Sequence, residues 1–240
     1  MRDHFAAGDW DEALALSDEY ATSDVRIARA TVLFPNALIH VNRGDLAAAR
    51  AGIDSWDPQA ADLQERAHYD MARAVVLLGE GRPEEAVEAG EAAFGWIKGV
   101  HTFAKFGFVA AVEAALALDD AERADRLLGR VRATPPGLTP PFMRAHAARF
   151  EAALASRRGE HDVAEPSLEA ATRIFRDLGF PFYVGVTLVE HAEWLLDQGR
   201  AAETESLLAE PRSIFERLKA RPWLERVERA AAPQAEAATP

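Results

Sequence analysis

At 240 residues the chain is long enough for one elongated domain or two small ones, and with 49% hydrophobic residues it has the material for a core. Its 39 acidic against 27 basic side chains give a formal charge of −12, which argues against a duplex nucleic acid as direct partner, because the phosphates would be repelled. The lack of cysteine excludes disulfides and thiolate metal sites, no apolar run reaches membrane-spanning length, and the polar start MRDHFAAGDWDEA is not a signal peptide, so the expected location is the cytoplasm.

Along the chain, Gly8, Gly44, Gly81, Asp119, Gly159 and Gly199 recur at spacings of 36, 37, 38, 40 and 40 residues. A near-fixed period of this size marks a repeat architecture. Five residues after each marker stand Ala13, Ala49, Ala86, Ala124, Ala164 and Thr204, small side chains that let two helices approach closely. The spacing predicts an amphipathic helix, B, after every marker. Asp9 with Glu12 and Asp119 with Glu122 have the separation of a capping box, and Pro83 suits a first helical turn. Longer helices, A, precede the later markers over 24–43, 60–80, 100–118, 140–158 and 181–198, with Asp57-Pro58, Thr139-Pro140 and Phe180-Pro181 marking three starts.

Seven residues before the markers stand Ala37, Ala74, Val112, Ala152 and Ala192; fourteen before stand Ala30, Ala67, Lys105, Ala145 and Gly185. Seven residues are two turns, so these form one mostly small stripe on helix A that meets the small position of helix B. Pro35 and Pro211 fall inside helices and are expected to kink them, Pro166 less so. The segment 133–141, ATPPGLTPP, is the expected place for a bend, and the tail 233–240, PQAEAATP, is expected to be disordered. Residues ahead of Gly8 look too few for an A helix. The first B helix is therefore expected to expose Trp10, Leu14 and Leu16, at about 1.5–3 kcal/mol each, and to offer a surface to a partner or a second copy. No strand-like alternation persists, so the fold class is all-α, a solenoid of about six helix pairs over residues 1–232.

The strings Gly8-Asp9-Trp10-Asp11-Glu12-Ala13, Gly81-Arg82-Pro83-Glu84-Glu85-Ala86 and Gly199-Arg200 resemble the second helix of a tetratricopeptide repeat, over nearly the whole chain. The units here exceed that repeat's 34 residues and lack its usual helix-ending proline, which makes this a divergent form. The resemblance implies a right-handed α-α superhelix with a concave groove. LGFPFYVGVTLVEHAEWLLDQGR and SLLAEPRSIFERLKARPWLERVERA are similar to the C-terminal helical arm of large actinobacterial-type regulators, which carry cyclase-like domains and STAND-type AAA ATPases ahead of the repeats. No G-x-x-x-x-G-K-S/T string is present, and Ile97-Lys98-Gly99 lacks a phosphate cradle, so no enzymatic role transfers. The resemblance implies a non-catalytic arm that senses or recruits a protein, peptide or small effector and restrains an ATPase. The alternative is a free-standing adaptor that scaffolds partners or homodimerises through its first helix.

His68, Phe106 and His146 each stand thirteen residues before a marker, a row that faces the groove in the resembled repeats. A second row runs Arg29, Asn36, Arg43, then Arg66, Arg73, then Arg144, Glu151, Arg158, each set on one helix face. The candidate binding residues are His68, Phe106, His146, Arg66, Arg73 and Arg144, for a peptide, an acidic segment or a phosphate. The competing expectation is half-buried packing for the rings and weak surface pairing for the arginines. Phe103, Phe106, Phe150 and Trp194 have the spacing of core residues. His191 and Glu193 in VEHAEW invite a metal reading, but the His-Glu-x-x-His helix needs a second histidine, and Glu190 with Glu193 reads as a solvated face. No metal, cofactor or catalytic group is expected.

Overall fold

The computed structural model of the chain describes residues 2–96, 105–135 and 137–237. Every regular element among them is helical. The helices are α1 (Arg2–Ala7), α2 (Trp10–Ala21), α3 (Arg26–Arg43), α4 (Leu46–Asp54), α5 (Leu63–Gly79), α6 (Pro83–Trp96), α7 (Lys105–Ala117), α8 (Ala121–Arg132), α9 (Pro141–Arg158), α10 (His161–Asp177), α11 (Pro181–Asp197), α12 (Thr204–Leu218) and α13 (Arg221–Ala237). They fall into two compact units divided after Met143, with Ala6–Gly8 grouped with the second. No described helix is long and apolar enough to cross a membrane.

All six sequence markers adopt positive φ: Gly8 at 85°, Gly44 at 77°, Gly81 at 72°, Asp119 at 56°, Gly159 at 72° and Gly199 at 71°. Each is the left-handed residue that ends one helix and turns the chain into the next, a conformation glycine adopts without a Cβ penalty. After Gly44, Gly81, Asp119 and Gly159 the following N–H returns to the carbonyl five residues back, as in Asp45 to His40, Arg82 to Leu77, Asp120 to Ala115 and Glu160 to Ala155. The small residue five positions on is fully buried in every case: Ala49, Ala86, Ala124, Ala164 and Thr204 at 0% exposure and Ala13 at 1%. Ala30, Ala37, Ala67, Ala74, Val112, Ala145, Ala152, Gly185 and Ala192 are likewise buried on the A helices.

In the first unit α3 packs on both α4 and α5, α5 on both α6 and α7, and α7 on α8. In the second, α11 packs on α10, α12 and α13. Close approach is tightest where α6 meets α7. A Cβ built at Gly90 would lie 2.7 Å from the Ala111 nitrogen and 2.8 Å from the Gly107 carbonyl oxygen, and one at Gly107 would lie 2.7 Å from Ala93 Cβ. In the second unit Gly185 plays a similar part, its Cα facing the Phe215 ring.

Several local expectations are corrected. The helix-start chemistry is displaced: α8 is capped by Asp120, whose side chain accepts from the Arg123 N–H at 2.9 Å, while Asp119 is the left-handed turn residue. Asp9 makes no side-chain cap, whereas Asp62 with Glu65 forms a full capping box at α5. The chain does form a helix ahead of Gly8. Phe5 of α1 meets Phe34 and Phe106 edge-on at 6.4 and 6.3 Å. Trp10 is buried, not exposed, because α3 packs over α2 and brings the Arg43 guanidinium 5.9 Å from its ring; Leu14 and Leu16 are half-buried. The exposed first helix that suggested dimerisation is thus absent. Helix α13 extends to Ala237, past the expected end at 232, while Pro35 and Pro211 lie inside α3 and α12 as expected. Phe103, Ile97-Lys98-Gly99 and 238–240 lie outside the described residues.

Close packing at Gly90 is testable by paired substitution. Gly90→Ala is expected to lower stability by about 1–3 kcal/mol through overpacking against backbone atoms. Gly129→Ala in α8, with nothing within 4 Å of its added methyl, is expected to raise it by about 0.5–1 kcal/mol. Chemical denaturation of the two variants decides; equal effects would contradict the geometry.

Candidate functional site

The row thirteen residues ahead of the markers does not form one surface. Phe106 is buried in the first unit among Phe34 at 4.5 Å and Phe142 at 5.0 Å, with the Lys105 ammonium 5.4 and 4.7 Å from the Phe106 and Phe142 rings. In the second unit His146 is fully buried, its ring 4.5 Å from Tyr183, 4.8 Å from Phe175 and 5.7 Å from Phe150. Both side chains anchor cores rather than face a groove, because the packing of the next helix covers that side of helix A. His68 on α5 is half-buried, and burial pushes its imidazole down to about 4.

The arginine row is mostly engaged. Arg43 donates to Asp11 at 2.7 Å, Arg66 reaches the Pro58 carbonyl at 3.2 Å and stands 3.7 Å from Asp70, and Arg144 is exposed on α9. Arg73 is half-buried on α5, one turn-pair from Arg66. Arg66, His68 and Arg73 thus share one helix of the first unit, while Arg144 and His146 belong to the second.

The VEHAEW segment is not a solvated face. Arg149 of α9, itself buried, grips Glu190 through two bonds of 2.7 and 2.6 Å, and Arg226 of α13 donates to Glu193 at 2.9 Å. Two carboxylates three residues apart are therefore clamped by the A helices on either side. The buried His191 stands 3.6 Å from Glu165 of α10, which also receives Arg200 at 2.7 Å; the bond from Arg200 holds the Glu165 carboxyl below its ordinary range. Similar bonds join Arg50 of α4 to Glu80 at the end of α5 and Arg123 of α8 to Glu91 of α6, and depress those carboxyls likewise. Among the described residues no three His, Cys, Asp or Glu groups stand together as a metal site.

One pocket of about 280 Å³ opens in the first unit where α2, α3 and α4 meet. Arg29 and Asn36 reach it from α3, Ser17 from α2, and Trp56 from the loop after α4, with Val32 and Leu33 as further walls. Ser17 is buried and accepts a bond from Asn36 Nδ2 at 3.1 Å. Arg29 spends one N–H on the Ser23 carbonyl at 2.6 Å. The Trp56 ring is held under the Arg26 guanidinium at 4.4 Å, and Arg26 is in turn fixed by Glu65 at 2.8 Å and the Asp57 carbonyl at 2.6 Å. Sequence patterning placed Arg29 and Asn36 on one face of α3. It did not select them, because Ser17 and Trp56, which complete the pocket, belong to elements with no shared period.

No family model, curated protein or solved structure matches the chain.

Burial of His68 makes stability depend on pH. Its folded value of about 4 lies below the ordinary 6.5, so the unfolded chain binds the proton first. The stability that depends on a neutral His68 is intact above pH 6.5 and is lost as pH falls through the interval down to about 4. The loss is on the order of 2–3 kcal/mol, and His40, also lowered mainly by burial, adds in the same direction. The stability that comes from the depressed carboxyls of Glu80, Glu91 and Glu165 is present above the ordinary glutamate value of 4.5 and is lost only as pH falls below it. Urea unfolding at neutral pH and near pH 5 should show the wild type losing stability and His68→Gln losing distinctly less; equal slopes would contradict the assignment.

Proposed function

We propose that the chain is a non-catalytic, divergent tetratricopeptide-like helical-repeat domain of the cytoplasm that binds a protein, a peptide or a small effector. We further propose that it serves as the regulatory arm of an ATPase- or cyclase-linked signalling or transcriptional regulator. The observation that carries the first proposal is the recurrence of one unit: a left-handed turn at each of six markers, followed five residues later by a fully buried small side chain. Stacked units of this kind bury a continuous core and leave side surfaces free for ligands, which is how helical repeats bind. The polar side chains support the same view. Arg149, Glu190, Glu193 and Arg226 join neighbouring helices to one another. The second proposal rests on the resemblance of the last third of the sequence to such arms.

A ligand that prefers one packing of the helices over another shifts the balance between them, and a fused ATPase reads that shift. Deleting the region from its parent is expected to change regulation while leaving the parent's chemistry intact. An immunoblot of native cells with an antibody to this region is expected to give a band several times 26.2 kDa. A band at 26.2 kDa would contradict the arm and leave a free-standing adaptor.

A further inference from the structure

We propose that the pocket between α2, α3 and α4 binds a small organic monocarboxylate, with the Arg29 guanidinium holding the carboxylate and Trp56, Val32 and Leu33 enclosing its apolar tail. This deepens the binding role proposed above by naming a ligand class, and it rests on that role.

Charge is the first argument. The chain carries a formal −12, yet no carboxylate lines this pocket, and Arg29 is its one charged lining residue. Other arginines, Arg43, Arg50, Arg123, Arg149, Arg176, Arg200 and Arg226, pair with Asp or Glu. Arg29 has no carboxylate partner among the described residues; its bond is to the Ser23 carbonyl. A guanidinium has five N–H donors, so four remain after Ser23, enough for the two parallel bonds a carboxylate takes. The Ser23 bond also fixes the side chain in place, which reduces the ordering cost of binding.

The second argument is the aromatic wall. The Trp56 ring lines the same pocket. The ring itself is pre-positioned by Arg26, which is bonded to Glu65 and the Asp57 carbonyl. Asn36, already bonded to Ser17, retains a second N–H and a carbonyl oxygen.

Size and valence narrow the class. About 280 Å³ lies at the low end of ligand pockets, ~300–1,000 Å³, and suits a metabolite-sized molecule with one short apolar portion. One cation balances one negative charge. A phosphate monoester, near −1.5 to −2 at neutral pH, would leave charge uncompensated beside apolar walls.

The test uses the full chain and four probes, butyrate, isovalerate, hexanoate and 3-phenylpropionate, each beside its primary amide, with inorganic phosphate as a further arm. Binding is read by calorimetry and by tryptophan fluorescence. At least one carboxylate is expected to bind saturably, with its amide weaker by about tenfold or more, as loss of a charged hydrogen-bond pair implies. Arg29→Gln, which gives up the Ser23 bond but breaks no ion pair, is expected to keep its circular dichroism and to lose about tenfold or more in affinity. Arg126→Gln, exposed on α8 and outside the pocket, is expected to bind as the wild type. Trp56→Phe should abolish the fluorescence change. No binding by any carboxylate, equal binding of acid and amide, unchanged affinity in Arg29→Gln, or preference for phosphate would each overturn the proposal. A short peptide with a free C-terminus that outcompetes every small acid, and loses this on amidation, would overturn it in favour of a chain end. These outcomes leave the regulatory arm to be judged separately by the native mass of the polypeptide.

Discussion

A buried side chain no larger than threonine, placed five residues beyond each of the six marker turns, sets the distance between neighbouring helices. Ala49, Ala86, Ala124, Ala164 and Thr204 have no exposed surface, Ala37, Ala74, Val112, Ala152 and Ala192 on the A helices are buried as well, and Ala152 and Ala164 share one core cluster. Two small surfaces allow backbones to approach, and close-packed interiors do not readily accommodate added volume at such points. Aromatic rings then fill the space where the small stripes end. Phe215 lies over Gly185, and Phe34, Phe106 and Phe142 cluster near one another in the first unit. The left-handed turn and the small residue are thus one device: the turn sets the direction of the returning helix and the small residue sets its depth.

Charge is arranged around that device. Side chains that emerge beside the packed stripe reach the next helix, so Arg50 meets Glu80, Arg123 meets Glu91, and Glu165 takes both Arg200 and His191. Exposed ion pairs stabilise little individually. Here they favour one register of the stacked helices, because each links one helix to a different helix or turn rather than to itself. Arg29 stands apart from these pairs, at the pocket where α2 and α4 converge on α3.

The period of the fold was legible in the sequence because it is local. Gly8, Gly44, Gly81, Gly159 and Gly199 are the residues best suited to positive φ, and even Asp119, without glycine's freedom, kept its place in the series. The small position was legible for the same reason. What the pattern could not give is which side of a buried row faces a neighbour. His146 and Phe106 share a register with His68, yet two are core and one is half-buried, a difference made by Tyr183, Phe175 and Phe142 from other helices. Glu190 and Glu193 looked solvated because Arg149 and Arg226 lie 41 and 33 residues away in sequence. Caps failed by one residue at Asp119, where φ of 56° removes it from the cap position and hands that role to Asp120. The pocket was not legible at all, since Ser17, Asn36 and Trp56 meet only after three helices have packed.

The most direct measurement of the central claim is the unfolding midpoint of chains with one buried alanine enlarged: Ala49→Leu, Ala86→Leu, Ala124→Leu and Ala164→Leu, against Ala47→Leu on the exposed face of α4. Each of the four is expected to lose about 1–3 kcal/mol by overpacking, while the exposed control stays within ~0.5 kcal/mol. Leucine tolerated at the four buried positions as well as at 47 would contradict the claim that small residues at this one position set the helix spacing.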